Sequence, residues 1–242
     1  MRVADICEEI ARKNGMNSDG IDLAWLCGLL HDIGRFEQLR IWKTFHDSES
    51  IDHAKLGVAI LRGEELAGIK LCSGERILDR YLNDSELASI VETAVELHNV
   101  LHLPISLGNR ARTFCEILRD ADKIDIIHVF SQSSCESILG MTSNKLMNCS
   151  ISDAAMIGFR EQRCLGPEDR ETPLDRLVGT ICLSFEIVNK SGVELLYKYG
   201  YMDDLINHPF GLEMQLSQYD AQKKWNEICA WHQKIGKVHL DS

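Results

Sequence analysis

The sequence predicts an all-α fold, and three observations support this prediction. The 242 residues include only four prolines, the residue type that most often interrupts a helix. Apolar residues recur mostly at intervals of three and four, which places them on one face of a helix. Alternating apolar and polar runs, which are typical of half-buried strands, are almost absent. We therefore expect packed helices rather than a sheet.

Apolar stretches and the turn residues between them define the expected elements. The pattern predicts helices over 3–13, 21–33, 53–68, 85–100, 110–130, 151–160, 174–198 and 213–234. Gly34 is placed to end the second helix in the left-handed conformation that glycine adopts at helix C-termini. Residues 131–150 are polar and rich in small side chains, which indicates a flexible connection. Because no linker or internal repeat is visible, we expect one domain over 1–242.

Charge and composition limit the classes of partner. Hydrophobic and charged fractions of 45% and 26% are ordinary for a globular protein. The formal net charge of −11 argues against binding to a nucleic-acid backbone or an anionic membrane, since both need clustered Lys and Arg. A small anionic substrate stays possible if a metal ion or a few local cations hold it. No apolar stretch approaches the roughly 20 residues of a membrane span, and no signal-peptide pattern is visible.

The cysteines predict buried free thiols rather than a metal or redox site. There are nine of them, and none forms a C-x-x-C pair of the kind that binds zinc or acts in thiol exchange. Their scatter over helical core positions is typical of a reducing compartment, so we expect a cytoplasmic protein. They are Cys7, Cys27, Cys72, Cys115, Cys135, Cys149, Cys164, Cys182 and Cys229.

A set of histidines and aspartates is the strongest candidate for a functional site. His31 and Asp32 end an apolar helix, His53 begins another, and His98 and Asp122 lie within further apolar stretches. A buried imidazole or carboxylate is costly unless something pairs with it. Helix bundles build metal sites from such inward-facing side chains. Imidazole and carboxylate ligands suit Mn, Fe, Ni, Zn or Mg better than an ion that prefers thiolates.

Each of these residues also has a purely structural interpretation. The doublet at 31–32 could cap a helix end, and Asp122 could form a salt bridge with a basic neighbour. His53 could start its helix beside Asp52, and His98 could bond a carbonyl in the core. For Asp122 metal ligation is the favoured hypothesis, because an unpaired carboxylate is costly on a mainly apolar helix. By itself the doublet at 31–32 leaves both interpretations open, and the motifs downstream of it favour ligation.

A second His-Asp pair occurs in the stretch TFHDSES, at His46 and Asp47. No apolar helix leads into this pair, and a turn rich in Ser and Glu follows it. We interpret this stretch as a loop that could line a pocket, and not as a source of metal ligands. Motifs of phosphate-binding loops, dinucleotide-binding folds, zinc proteases and serine hydrolases are absent from the sequence.

Four motifs in sequence order resemble the HD-domain superfamily of metal-dependent phosphohydrolases. They are LLHDIGR, DHAKLG, ELHN and RDADKID. The resemblance covers roughly residues 1–130 and implies an HD-domain helical bundle, on which the helices of 131–242 pack as a C-terminal extension. Four motifs in this order are far more specific than a single His-Asp dipeptide, which is common by chance.

The resemblance also implies which residues act. His31, Asp32 and Asp122 match the family's metal ligands, while His53 and His98 match the further histidines of members that bind two ions. The implied cofactor is therefore one or two divalent ions among Mn, Fe, Ni, Zn and Mg. Two basic residues are candidates to contact and stabilise an anionic substrate. They are Arg35 and Lys123.

The implied activity is hydrolysis of a phosphate mono- or diester by metal-activated water, with a nucleotide or another small phosphorylated metabolite as substrate. Two alternatives stay open: a non-catalytic ligand-binding or regulatory module with a degenerate metal site, and a di-iron oxygenase on the same fold.

One ligand of the family has no counterpart in these 242 residues. The family's first ligand is a histidine a few residues before an Arg-Val pair on the opening helix. The matching pair here is Arg2-Val3, which follows Met1 directly. The resemblance therefore implies that this histidine precedes Met1 in a longer chain, or that the site lacks one ligand.

Overall fold

The fold is given by a computed structural model that describes residues 1–66, 68–70 and 74–240. The all-α prediction is confirmed, because one short hairpin is the only regular element in these residues that is not a helix. In this hairpin β1 (Glu65–Leu66) pairs antiparallel with β2 (Ile69–Lys70). The helices are α1 (Arg2–Lys13), α2 (Ser18–Leu30), α3 (Ile33–Trp42), α4 (His53–Arg62), α5 (Ser85–Leu97), α6 (Asn109–Gln132), α7 (Cys135–Leu139), α8 (Ser143–Met147), α9 (Asp153–Arg160), α10 (Pro173–Cys182), α11 (Lys190–Lys198), α12 (Tyr201–Asn207) and α13 (Tyr219–Leu240).

The chain forms two compact units, Met1–Asp122 and Lys123–Ser242, and the boundary between them falls within α6. In the first unit α1 packs on α2, α3 on α4, and α5 on both α2 and α4. In the second unit α9 packs on α10, while α12 contacts α10, α11 and α13. The prediction that 1–242 form a single domain stays a prediction.

Two close helix contacts in the first unit depend on glycine. A Cβ atom at Gly28 would lie 2.6 Å from the Cα atom of Ala4, so α1 and α2 approach at a distance that only glycine permits. A Cβ atom at Gly34 would lie 2.7 Å from the backbone nitrogen of Gly57, and closer still to the carbonyl oxygen of His53. Gly34 therefore lets α3 lie directly against the first turns of α4.

This position of Gly34 corrects a sequence prediction. We expected it to end the helix over 21–33, but α2 ends at Leu30 and Gly34 lies buried inside the next helix, α3. A glycine that ends a helix and a glycine that admits a neighbouring helix look the same in a single sequence. The next helix, α4, ends at Arg62 rather than at the predicted 68, and the glycine that follows it, Gly63, adopts the left-handed conformation with φ 68°.

Two other predictions differ in detail. The predicted connection over 131–150 contains the short helices α7 and α8. The Ser134 side chain accepts a hydrogen bond from the backbone of Ser137, so small polar residues that indicated a loop act here as helix caps. The predicted helix over 174–198 is broken into α10 and α11 by a 3-10 turn at Leu183–Glu186.

Eight of the nine cysteines are free thiols, and Cys72 lies outside the described residues. Burial raises the pKa of Cys27 above its usual value, as expected for a core thiol that is not a nucleophile. Among the helices that the structure describes, none combines the length and apolar character needed to cross a bilayer. The compartment stays a prediction.

Candidate metal centre

Two of the predicted ligands, His31 and His98, lie in equivalent positions at the ends of two helices. His31 directly follows the last residue of α2, and His98 directly follows the last residue of α5. Each ring nitrogen Nδ1 faces a carbonyl oxygen three residues earlier, at 2.8 Å from Gly28 and 2.7 Å from Val95. Both rings are buried, so these contacts fix their orientation.

His53 enters the same centre from the start of a helix. It is the first residue of α4, where the Asp52 side chain caps the backbone nitrogen of Ala54. Its Nδ1 atom lies 2.6 Å from the Oδ2 atom of Asp47. The ring is 4% exposed and makes an edge contact with the ring of His98.

The partners of the three Nδ1 atoms determine the tautomer of each ring. A carbonyl oxygen and an ionised carboxylate only accept hydrogen bonds, so each Nδ1 carries a hydrogen, and Nε2 of a neutral ring carries a lone pair. The Nε2 atoms of His53 and His98 lie 3.0 Å apart. Two lone pairs at this distance repel each other unless a positive charge lies beside both. This pair of nitrogen atoms therefore fits a bound cation.

Asp32 connects two groups of ligand atoms. Its Oδ1 atom lies 3.5 Å from Nε2 of His53 and 4.0 Å from Nε2 of His98. Its Oδ2 atom lies 3.4 Å from Nε2 of His31, which is also 3.7 Å from Oδ1 of Asp122. The first group, Asp32, His53 and His98, has its ligand atoms within 4.8 Å of one another, close enough to bind one metal ion. All five predicted ligands thus converge within the first unit.

The charges of this centre are strongly coupled. Burial opposes the charged form of His31, but its hydrogen bond with Asp32 and the negative charge of Asp122 outweigh burial and raise the pKa of His31 to about 9. Burial would raise the pKa of Asp32, yet the hydrogen bond from His31 and the neighbouring histidines hold it well below its usual range. Burial lowers the pKa of His98 to about 4. Without a metal ion, the centre therefore pairs an imidazolium with a carboxylate.

A family model for the HD domain matches residues 1–129 of the chain, which is more than half of its length. The chain belongs to the HD-domain superfamily. The resemblance carried by the four sequence motifs is thereby confirmed. No curated protein and no solved structure matches the chain significantly. All five predicted ligands of the HD domain lie within the matched residues, and their roles as ligands stay predictions.

Arg35, predicted to contact substrate, lies at the edge of the HD-domain centre. Its Nε atom is 3.5 Å from Oδ1 of Asp32. Its Nη1 atom donates to Oδ1 of Asp47 at 2.8 Å, to the carbonyl oxygen of Phe45 at 2.6 Å and to Oε1 of Gln38 at 2.9 Å. The guanidinium therefore joins α3 to the loop that follows it, and its contact with substrate stays a prediction.

Lys123, the other predicted substrate contact, belongs to the second unit. Its side chain is buried, and Nζ lies 3.1 Å from the carbonyl oxygen of Glu186 and 3.7 Å from the carboxylate of the same residue. The ammonium group is therefore already paired within that unit. Its role towards a substrate also stays a prediction.

Sequence reasoning missed two groups that support the HD-domain centre. Asp47 was assigned to a loop, and it does lie in the 3-10 turn Asp47–Glu49, but its carboxylate reaches His53. Arg119 is 9% exposed and donates from its guanidinium to backbone carbonyl oxygens just after α5, among them those of Val100 and Leu101. The sequence gives only a charged residue among other charged residues of α6, a pattern that does not identify the partner.

Proposed function

We propose that this HD-domain protein is a metal-dependent phosphohydrolase that cleaves a phosphate mono- or diester in a nucleotide or another small phosphorylated metabolite. One observation carries the proposal: Asp32, His53 and His98 bring their ligand atoms within 4.8 Å of one another, and the Nε2 atoms of the two histidines lie 3.0 Å apart. His31 and Asp122 adjoin this group through contacts of 3.4 and 3.7 Å. This arrangement is unfavourable without a cation and favourable with one.

The ligand types support one or two divalent ions of the Mn, Fe, Ni, Zn or Mg class. Asp32 supports the two-ion option, because it presents one oxygen to His31 and the other to His53 and His98. A divalent cation bound by these residues would lower the pKa of a water molecule and polarise a phosphoryl oxygen.

Side chains and backbone groups of the protein hold the ligand atoms in position before an ion binds. Each imidazole is fixed through Nδ1, so Nε2 need not reorient when an ion binds. The Asp32 carboxylate is restrained from two sides, by the Nε atom of Arg35 at 3.5 Å and by Nε2 of His31 at 3.4 Å. A centre held in this way retains its geometry between turnovers, as catalysis by positioned groups requires.

The test is reconstitution of the full chain after removal of metal with a chelator. Mn, Fe, Ni, Zn and Mg are added singly. Release of p-nitrophenol is measured from bis(p-nitrophenyl) phosphate, and release of phosphate is measured from a panel of nucleotides and sugar phosphates. We expect hydrolysis that depends on added metal and persists without O₂. Metal binding with oxidation and no hydrolysis would favour the oxygenase, and no bound metal would favour the non-catalytic module; either result would overturn the proposal.

Metal binding should release a proton at neutral pH. The pKa of His31 is about 9 in the metal-free protein, so this ring is protonated at pH 7 and must lose its proton to bind an ion. His98, with a pKa of about 4, is already neutral. Apparent affinity should rise about tenfold per pH unit from pH 7 to pH 9 and level off above it.

Titration calorimetry in buffers of different ionisation enthalpy measures this proton directly. We expect about one proton released per His31-bound ion at pH 7 and close to none at pH 10. Equal proton release at the two pH values would contradict ligation by His31.

A further inference from the structure

We propose that Asp47, which is outside the predicted ligand set, is a positioning residue: it selects the tautomer of His53 and aims the Nε2 lone pair of that ring at the metal centre. The inference deepens the proposed function, because it rests on His53 as a ligand there. It assigns a role to the second His-Asp pair of the sequence, which was interpreted only as a loop.

The need for such a residue follows from where His53 lies on its helix. His31 and His98 follow the ends of helices, where a carbonyl three residues earlier accepts from Nδ1. His53 is the first residue of α4, so no preceding helical turn offers it a carbonyl. The loop before α4 supplies Asp47 instead, whose Oδ2 atom lies 2.6 Å from Nδ1.

The Asp47 carboxylate is held in place independently of His53. Its Oδ1 atom accepts from Nη1 of Arg35 and from Nε2 of Gln38, both at 2.8 Å. The Gln38 side chain is fully buried, and its Nε2 atom also lies 2.9 Å from Oγ of Ser50 and 3.0 Å from the carbonyl oxygen of Ile51. A buried amide thus fastens the whole 47–51 segment to α3.

These donors also keep Asp47 ionised. Oδ1 of Asp47 lies 2.8 Å from Nη1 of the Arg35 cation, and the Gln38 amide donates to the same oxygen, so the ionised form is the one these contacts fit. An ionised carboxylate is an acceptor only, so the hydrogen of His53 must be on Nδ1. A carboxylate partner also makes Nε2 more basic than a carbonyl partner does, which strengthens it as a metal ligand.

A direct ligand role for Asp47 is less consistent with its contacts. Ligand atoms of Asp47, Asp52 and His53 lie within 4.8 Å of one another, close enough for an ion. However, Oδ1 of Asp52 accepts from the backbone nitrogen of Ala54 and from Nδ2 of Asn99, both at 3.0 Å. Both oxygens of Asp47 accept from side-chain donors, one of them the Arg35 cation. Protein donors therefore already satisfy these carboxylates.

Asp47→Asn provides a sharp test because the two donors at Oδ1 determine how the new amide is oriented. The amide oxygen has to stay with Arg35 and Gln38, so the amide NH₂ group turns towards Nδ1 of His53. That ring must then accept at Nδ1 and carry its hydrogen on Nε2, where the hydrogen blocks an ion. Asp47→Ala only removes the partner and leaves both tautomers accessible.

We would measure the His53 tautomer by ¹⁵N NMR of the metal-free full chain, and Zn²⁺ and Mn²⁺ affinity by titration. We expect Nδ1–H in the native protein and Nε2–H in Asp47→Asn. Metal affinity should fall about 10- to 100-fold in Asp47→Asn and less in Asp47→Ala. If Asp47 were merely structural, the order would be the reverse, because asparagine keeps the size of the side chain and alanine removes it. Glu49→Gln is the matched control, because it removes one charge from the same 3-10 turn without touching His53.

The proposal is overturned if His53 of Asp47→Asn keeps Nδ1–H, or if its metal affinity stays within twofold of Glu49→Gln. The NMR measurement needs neither metal nor substrate. A changed tautomer in a protein that hydrolyses no ester would count against the proposed function alone, and would support the positioning role.

Discussion

Replacement of Asp32 by alanine is expected to abolish metal-dependent ester hydrolysis and to leave the protein folded. The two oxygens of Asp32 face the two groups of ligand nitrogen atoms, so its loss weakens both at once. A bound ion stabilises a phosphoryl-transfer transition state by several kcal/mol. At about 1.4 kcal/mol per factor of ten, kcat/KM should fall at least about 1,000-fold.

The fold should tolerate this change because the Asp32 side chain is 48% exposed. We expect the free energy of unfolding to change by about 1 kcal/mol or less in the metal-free protein. The measurements are metal content, turnover with each ion, and urea denaturation. Asp22→Ala, at an exposed position of α2, is the matched control. Unchanged turnover in Asp32→Ala would refute the assignment of the metal centre.

Replacement of Gly34 by alanine is expected to destabilise the first unit severely. The new methyl group would overlap the carbonyl oxygen of His53 and lie 2.7 Å from the backbone nitrogen of Gly57. Backbone atoms cannot move aside as a flexible side chain can, so α3 and α4 must separate. Overpacking of this kind costs about 1–3 kcal/mol, and contact with backbone places Gly34→Ala at the upper end.

The same displacement should reduce metal affinity, since His53 is the residue that α3 would push away. Urea denaturation of the metal-free chain and titration with Mn²⁺ measure the two effects. Gly108→Ala is the control, because a Cβ atom there meets nothing within 4 Å. We expect this variant to lower the free energy of unfolding by less than about 1 kcal/mol, since glycine is preferred to alanine just before a helix. Equal stability of the two variants would show that α3 and α4 are not in close contact.

The candidate ligands could be identified in the sequence because local motifs mark them, and the structure brings these residues together. His31, Asp32 and Asp122 are polar groups at the ends or on the faces of apolar helices, and such groups are costly without a partner. The same argument found His53 and His98. The all-α class followed from the spacing of apolar residues, which determines the buried face of each helix.

The supporting residues could not be predicted, because they depend on contacts between distant segments. Gly34 is explained only by the approach of α4, and Asp47 only by the position at which His53 begins its helix. Arg119 binds carbonyl oxygens of the segment after α5, about 20 residues earlier in the chain. A single sequence shows which residue occupies such a position, but not which distant residue it contacts.

The location of His31 and His98 immediately after two helices has a consequence for the order of binding. A helix C-terminus carries a partial negative charge of about half an electron, and two such ends meet here beside the carboxylates of Asp32 and Asp122. In the metal-free protein the His31 imidazolium offsets only one of the two carboxylates, so the remaining field attracts a cation and repels a phosphate ester. In the proposed hydrolysis, a metal-free molecule would therefore exclude the ester, and the ion would have to bind first. The concentration of the metal ion, as well as that of the ester, would then determine the fraction of active protein.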